Sequence, residues 1–337
     1  MTAAAVADRV YLSSYLAPLR FALDRPDVTD IYINRPGELW LETLGGKIER
    51  HEVPALEAAL LSRLARQVAA LNHQGISREH PLLSASLPDG SRIQIAQPPA
   101  TRGEMAIAIR KHVSADLTLD DYVSANAFRD VRTAGNAQSA AIDRVRGLVD
   151  AGDIGNALRE AVRGRLNILI SGGTSSGKTT FLNALIREIS ADERLILIED
   201  TPEIRLKHEN AVGLIAARSG LGEAHVTANG LVSASLRMRP DRIILGELRG
   251  PEAFAFLRAI NTGHPGSMTT IHADSVERAF EQLALLVLEG GSTLQREDIL
   301  AYVRATVDLI LQLCRGPTGR YMSDIHLRDL KFDKIER

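Results

Sequence analysis

The sequence predicts an α/β protein in two unequal parts: a smaller α+β domain over residues 1–120, a linker over 121–145, and a mainly parallel sheet with helices over 146–337. Three observations carry this. The second half runs apolar strand, helical stripe, apolar strand, the grammar of a parallel sheet covered on both faces. The first half alternates short strands around tight turns, with one long helical stripe among them. Between the halves, residues 116–141 are polar and mixed, and Gly135-Asn136-Ala137-Gln138-Ser139 has no period.

Each element follows from its own pattern. Residues 30–34 and 37–41 alternate like half-buried strands about the Pro36-Gly37 turn. Leu56, Leu60, Leu64, Val68 and Leu71 recur at helical spacing and predict a helix over 54–71. Pro88-Asp89-Gly90 marks a tight turn ahead of a strand over 92–96, and another strand follows at 105–110. With a period of two, Ile93 and Ile95 share one face while Arg92 and Gln94 share the other. Met105, Ile107 and Ile109 likewise face a core, and Arg110 points away from it. Beyond the linker, strands are predicted at 166–170, 195–198, 243–245 and 268–271, and helices at 178–189, 253–260 and 276–288.

Composition narrows the function classes. A formal charge of −2 gives no general nucleic-acid signature, and aromatics, at 4%, are too sparse for a base-stacking platform. The single cysteine, Cys314, excludes an intramolecular disulfide and a Cys-cluster zinc site. Its place in the apolar run 308–314 predicts a small thiol in a buried strand. No apolar stretch approaches the ~20 residues that span a bilayer. The segment Met1 to Asp8 lacks a basic n-region, so the expectation is a cytoplasmic chain.

The strongest chemistry lies at 172–179, where Gly172, Gly173, Thr174, Ser175, Ser176, Gly177, Lys178 and Thr179 follow an apolar strand and open a helix, with Thr180 next. Successive backbone N–H groups in such a turn converge on one point, and the helix N-terminus adds positive potential there. A triphosphate suits that point. Lys178 would reach its β/γ-phosphates and Thr179 would place a hydroxyl on Mg²⁺. Downstream, the apolar strand at 243–245 leads to Glu247, an acid at the carboxyl end of a strand, where Mg²⁺ or its waters would sit. The strand at 195–198 ends in Glu199-Asp200, whose side chains should point apart, so that one can polarise a water. His272 also falls at a strand end, where an imidazole could sense the γ-phosphate.

In order, GGTSSGKT, IEDTPE, RPDRIILGELRG and TGHPGSMTTIHADS resemble the Walker A, Asp-box, Walker B and His-box hallmarks of the secretion-ATPase superfamily, over residues 145–315. The Glu199-Asp200-Thr201-Pro202-Glu203 box, the compact Gly263-His264-Pro265-Gly266-Ser267 loop and the short N-terminal domain most resemble the VirB-type ATPases of type IV secretion and conjugation. The type II and pilus-assembly branches typically carry a four-cysteine zinc module that this chain lacks.

The resemblance implies a RecA-like P-loop domain, ATP and Mg²⁺ as cofactors, and Glu199, Glu247 and His272 as catalytic residues. It carries phosphate contact from the N-terminal domain to Arg92 and Arg110, and a phosphate or intersubunit contact to Arg237. It further implies a homo-hexamer that works with inner-membrane channel subunits on a secreted protein or DNA-protein substrate, without sequence-specific nucleic-acid binding. Such a ring would be cytoplasmic and peripheral to the inner membrane. In the implied cycle Arg92 and Arg110 close onto ATP, and hydrolysis lets the N-terminal domain swing on the linker. One departure is Ser176, where a glycine is common. The competing readings are a pilus-retraction or type II motor, a nucleic-acid translocase, and a nucleotide-gated assembly subunit without turnover.

Overall fold

The computed structural model of the chain describes residues 11–112, 118–124, 126–129, 137–217 and 222–329. Two sheets organise it. The first is antiparallel throughout, with β1 (Val28–Ile33), β2 (Glu38–Thr43), β3 (Ile48–Glu52), β4 (Leu82–Ser86), β5 (Arg92–Ala96) and β6 (Ala106–Arg110) in the order β3-β2-β1-β6-β5-β4. The second contains β7 (Ile168–Gly172), β8 (Leu195–Glu199), β9 (Ala211–Ile215), β10 (Arg242–Leu248), β11 (Met268–Ile271), β12 (Leu309–Gly316) and β13 (Gly319–Leu327), ordered β13-β12-β7-β11-β10-β8-β9. It is parallel except where β13 returns antiparallel along β12.

One face of the first sheet follows the expected alternation. Ile31, Ile33, Leu39, Leu41, Ile93, Ile95, Ile107 and Ile109 pack with Leu61, Leu64, Ala65 and Val68 of the helix Ala58–Leu71 into one apolar core. The opposite face is not solvated. Tyr32, Trp40, Ala96, Ala106 and Ala108 share a core with Ile196, Val212 and Leu214 of the second sheet. Gln94, expected on an open face, is therefore 1% exposed. Small alanines on that face let the two sheets approach closely enough to exclude water.

The second sheet is covered on both sides. The helices Glu252–Asn261, Val276–Glu289 and Arg296–Thr306 pack on one face; Ile154–Arg163 and Lys178–Ile186 pack on the other. The helix Ala137–Asp150 joins the latter group, burying Ala141, Ile142 and Val145. This corrects the linker expected over 121–145, because its C-terminal end is helix on the second core. The stripe is weak in the sequence because small and polar residues surround it. The rest of the linker includes 125 and 130–136, which lie outside the described residues, as do residues 1–10 and 330–337. The strands β3, β4, β9 and β13 were also not expected.

Cys314 is half-buried on β12, with Sγ 3.3 Å from Ser323 Oγ of β13. The expected core thiol is thus corrected: burial on β12 ends at Leu313, where the hairpin leaves the sheet body. Among the described residues, no helix is long and apolar enough to cross a membrane.

Candidate active site

Strand β7 delivers the chain into the glycine loop at its carboxyl end, and the helix Lys178–Ile186 starts directly after it. Ser175 and Gly177 take left-handed backbone conformations, φ 61° and 92°, which curl the intervening amides toward one point. Gly172 is required by contact: a Cβ there would stand 2.4 Å from Ser176 Oγ and 2.7 Å from the Leu313 carbonyl of β12. Ser176 is 3% exposed, and its hydroxyl, among the described residues, has no hydrogen-bond partner. It faces Gly172 beneath the loop, so the departure from glycine touches packing and leaves the outward amides alone.

The Lys178 ammonium folds over this loop. Nζ donates to the carbonyls of Gly172 at 2.7 Å and Gly173 at 3.2 Å, and stands 3.9 Å from Glu247 Oε1. Burial pushes its pKa down, and Glu247 pulls it back up. A cation held only by carbonyls and one distant carboxylate is available to a phosphate.

The carboxyl ends of the neighbouring strands complete a cleft of about 480 Å³ that the loop residues 174–180 line. From β8 come Glu199 and Asp200, from β10 Glu247, and past the end of β11 His272, which is exposed. Glu199 and Asp200 do point apart. The Oε1 of Glu199 accepts the backbone N–H of Glu203 at 2.9 Å and of Ile204 at 2.8 Å. Asp200 turns instead toward Arg249, 3.4 Å away, which also grips Glu247.

Three cations that sequence reasoning did not single out therefore act here. Arg249 ties the acids of β8 and β10 together. Arg320, on β13, donates from Nε to the Ser175 carbonyl at 3.0 Å and lines the cleft. Arg102 forms an ion pair with Oε2 of Glu199. Arg249 directly follows the Walker B-like strand, a signal that was legible; Arg102 and Arg320 belong to no motif, and only the fold brings them near.

Arg92, Arg110 and Arg237 are placed elsewhere. They line a separate cavity of about 410 Å³ with Arg239, and it shares no lining residue with the loop cleft. Arg92 and Arg110 are paired in register across β5 and β6, Arg110 lies 3.5 Å from Asp30, and Arg237 lies 3.5 Å from Ser84 Oγ. In this structure Arg92 and Arg110, expected to close onto the phosphates, do not line the loop cleft. The connection between Ala96 and Ala106 pairs with the edge of β9, and the two arginines occupy the opposite ends of β5 and β6, four residue steps or roughly 13 Å along the strands.

Among the described residues, no group of three or more His, Cys, Asp or Glu could hold a metal by itself. Thr179 and Glu247 both line the cleft, and so few protein ligands suit a hard cation that retains waters and takes oxygens from a phosphate.

The model of the family described as type II/IV secretion system protein matches residues 15–319. The type IV secretion system protein VirB11 of Brucella suis is 40% identical over 331 residues, covering 96% of this chain and 91% of that protein. Protein VirB11 of Agrobacterium fabrum is 37% identical over 305 residues, covering 88% and 87%. The crystal structure of the VirB11 ATPase from the Brucella suis type IV secretion system, in complex with sulphate, superposes with a TM-score of 0.90 at 39% identity, covering 97% of each chain.

Proposed function

We propose, since the chain belongs to the type II/IV secretion system protein family, that it is an ATPase whose turnover drives a type IV secretion or conjugation channel. One observation carries this reading: a single cleft gathers the glycine loop, Lys178, Thr179 and acids from the ends of two adjacent parallel strands, β8 and β10.

The residues divide the work. Loop amides and the start of the helix Lys178–Ile186 hold the β- and γ-phosphates. Lys178 exchanges the carbonyls of Gly172 and Gly173 for phosphate oxygens. Thr179 and Glu247 would hold Mg²⁺, which would supply neutralisation of phosphate charge. Glu199 orients the attacking water, and His272 stands at the γ-phosphate side of the cleft. The chain works as a ring of six, in which Arg92, Arg110 and Arg237 serve a junction with another copy. The ring sits at the cytoplasmic face of the inner membrane, held by channel subunits, and handles a secreted protein or a DNA-protein substrate.

Calorimetry with Mg-ATP, light scattering with a non-hydrolysable analogue, and steady-state turnover test this together. The expected results are nucleotide uptake, a six-membered assembly, and turnover reduced about 10³-fold in Lys178→Ala, as when an electrostatic contact to the transferring group is lost. Absence of adenine-nucleotide uptake in the presence of magnesium would refute the reading.

A further inference from the structure

Among the arginines that reach the acids and the loop of the cleft, Arg102 comes from the first sheet, on the connection after β5, and meets Glu199. Past β5, residues 100–102 lie along the outer edge of β9. Ile215 N–H donates to the Ala100 carbonyl and Arg102 N–H to the Gly213 carbonyl, both at 2.9 Å, and Thr101 bridges to Leu214. This short antiparallel addition covers the edge of the second sheet. From it the Arg102 side chain crosses β9 at Gly213, the one position where nothing projects. A Cβ on Gly213 would lie 2.5 Å from Arg102 Cδ.

Beyond that crossing, Nη1 donates to the Ile204 carbonyl at 2.6 Å and Nη2 pairs with Oε2 of Glu199. The carboxylate of the pair is buried and the guanidinium largely so, with side chains 3% and 15% exposed. Glu199 is confined from the other side as well, because its Cγ is 3.0 Å from where a Cβ of Gly246 would stand. Oε1 accepts the amides of Glu203 and Ile204, and Arg102 meets one side of Oε2.

We infer that Arg102 is a positioning residue for Glu199: it fixes the carboxylate in one orientation at the end of β8. Because Arg102 is anchored on the edge of β9 by the N-terminal half, the seating of that half on the second sheet sets the state of the water-orienting acid. The inference rests on the proposed role of Glu199. A buried carboxylate without a cation is disfavoured in its charged form, so the arrangement has a measurable signature beyond folding.

The experiment measures kcat and KM for Mg-ATP as functions of pH in Arg102→Gln, Arg102→Lys, Gly213→Ala and Glu199→Gln, in the full chain. The other titratable or charged groups around Glu199 (Lys178, Asp200, Glu203, Glu247, Arg249, His272 and Arg320) are unchanged in the Arg102 and Gly213 variants. In Arg102→Gln, kcat is expected to fall at least about tenfold with KM within about twofold, while the acid limb of kcat moves up by about one pH unit. Gly213→Ala displaces the same arginine without removing its charge from the chain, and shifts the limb in the same direction. Arg102→Lys recovers part of kcat. If Arg102→Gln and Gly213→Ala keep the wild-type acid limb while Glu199→Gln is inactive, the positioning role is overturned and the Glu199 assignment stands. Full turnover in Glu199→Gln overturns both.

Discussion

Replacing Arg194 by alanine tests how the two sheets are held together. Its guanidinium is 1% exposed and its partners are neutral oxygens. Nε donates to the Met238 carbonyl at 2.9 Å, Nη1 to Asn34 Oδ1 at 2.7 Å, and Nη1 also to Asn210 Oδ1. The group lies 4.1 Å from the centroid of the Tyr32 ring. Asn34 and Tyr32 belong to the N-terminal half, and Asn210 and Met238 to the second, so one cation stitches both. Burial pushes its pKa down to about 10, which leaves it charged at neutral pH.

Each charge-assisted hydrogen bond is worth about 1.5–3 kcal/mol, and the ring contact about 2 kcal/mol when dry. Burying the cation costs several kcal/mol in the other direction, and truncation leaves oxygens unpaired as well. The expected net loss is about 3–5 kcal/mol. At a urea slope of ~3 kcal/mol per molar, the midpoint falls by about 1–1.7 M. Trp40 is the chain's only tryptophan, 9% exposed on the face shared by the two sheets, so its emission reports their separation. In Arg194→Ala the Trp40 transition should precede the loss of far-ultraviolet ellipticity. Coincident transitions with an unshifted midpoint would refute the reasoning.

Two further outcomes follow from single contacts. Gly172→Ala forces a methyl against Ser176 and the Leu313 carbonyl; overpacking of this kind costs about 1–3 kcal/mol, so calorimetry should show Mg-ATP affinity weakened about tenfold or more with the ellipticity retained. Glu49 accepts hydrogen bonds from Arg25, Lys47 and His51, which hold its pKa down from 4.5 to about 2. Its folded-state value is depressed, so its contribution is present above about pH 4.5 and is lost as pH falls toward 2. The stability gap between wild type and Glu49→Gln, followed by thermal melts, should close over that window; a gap unchanged through it would count against the linkage.

Local pattern carried much of this protein. The glycine loop after β7, the acids at the ends of β8 and β10, and the alternation of β1, β2, β5 and β6 were legible because each depends on neighbours in the chain. A turn that cradles phosphate needs its glycines and its lysine at fixed short spacing, and a parallel strand must be apolar along its length. The helix Ala137–Asp150 was less legible, since among its described side chains only Ala141, Ile142 and Val145 are deeply buried and polar residues surround them.

What remained hidden depends on contacts between distant segments. The alternation that put Gln94 and Arg92 on one face could not show that the second sheet covers the first and leaves only Arg92 in water. Strand period tells which residues share a face and is silent on what that face meets. For the same reason the strand pattern was silent on Arg102, Arg249 and Arg320, which the fold brings to the acids and the loop of the cleft, while the role of Arg92 and Arg110 came from the family resemblance alone. A guanidinium reaches only as far as its own side chain, so its partner is chosen by how the sheets seat, and that seating is decided by apolar burial between them.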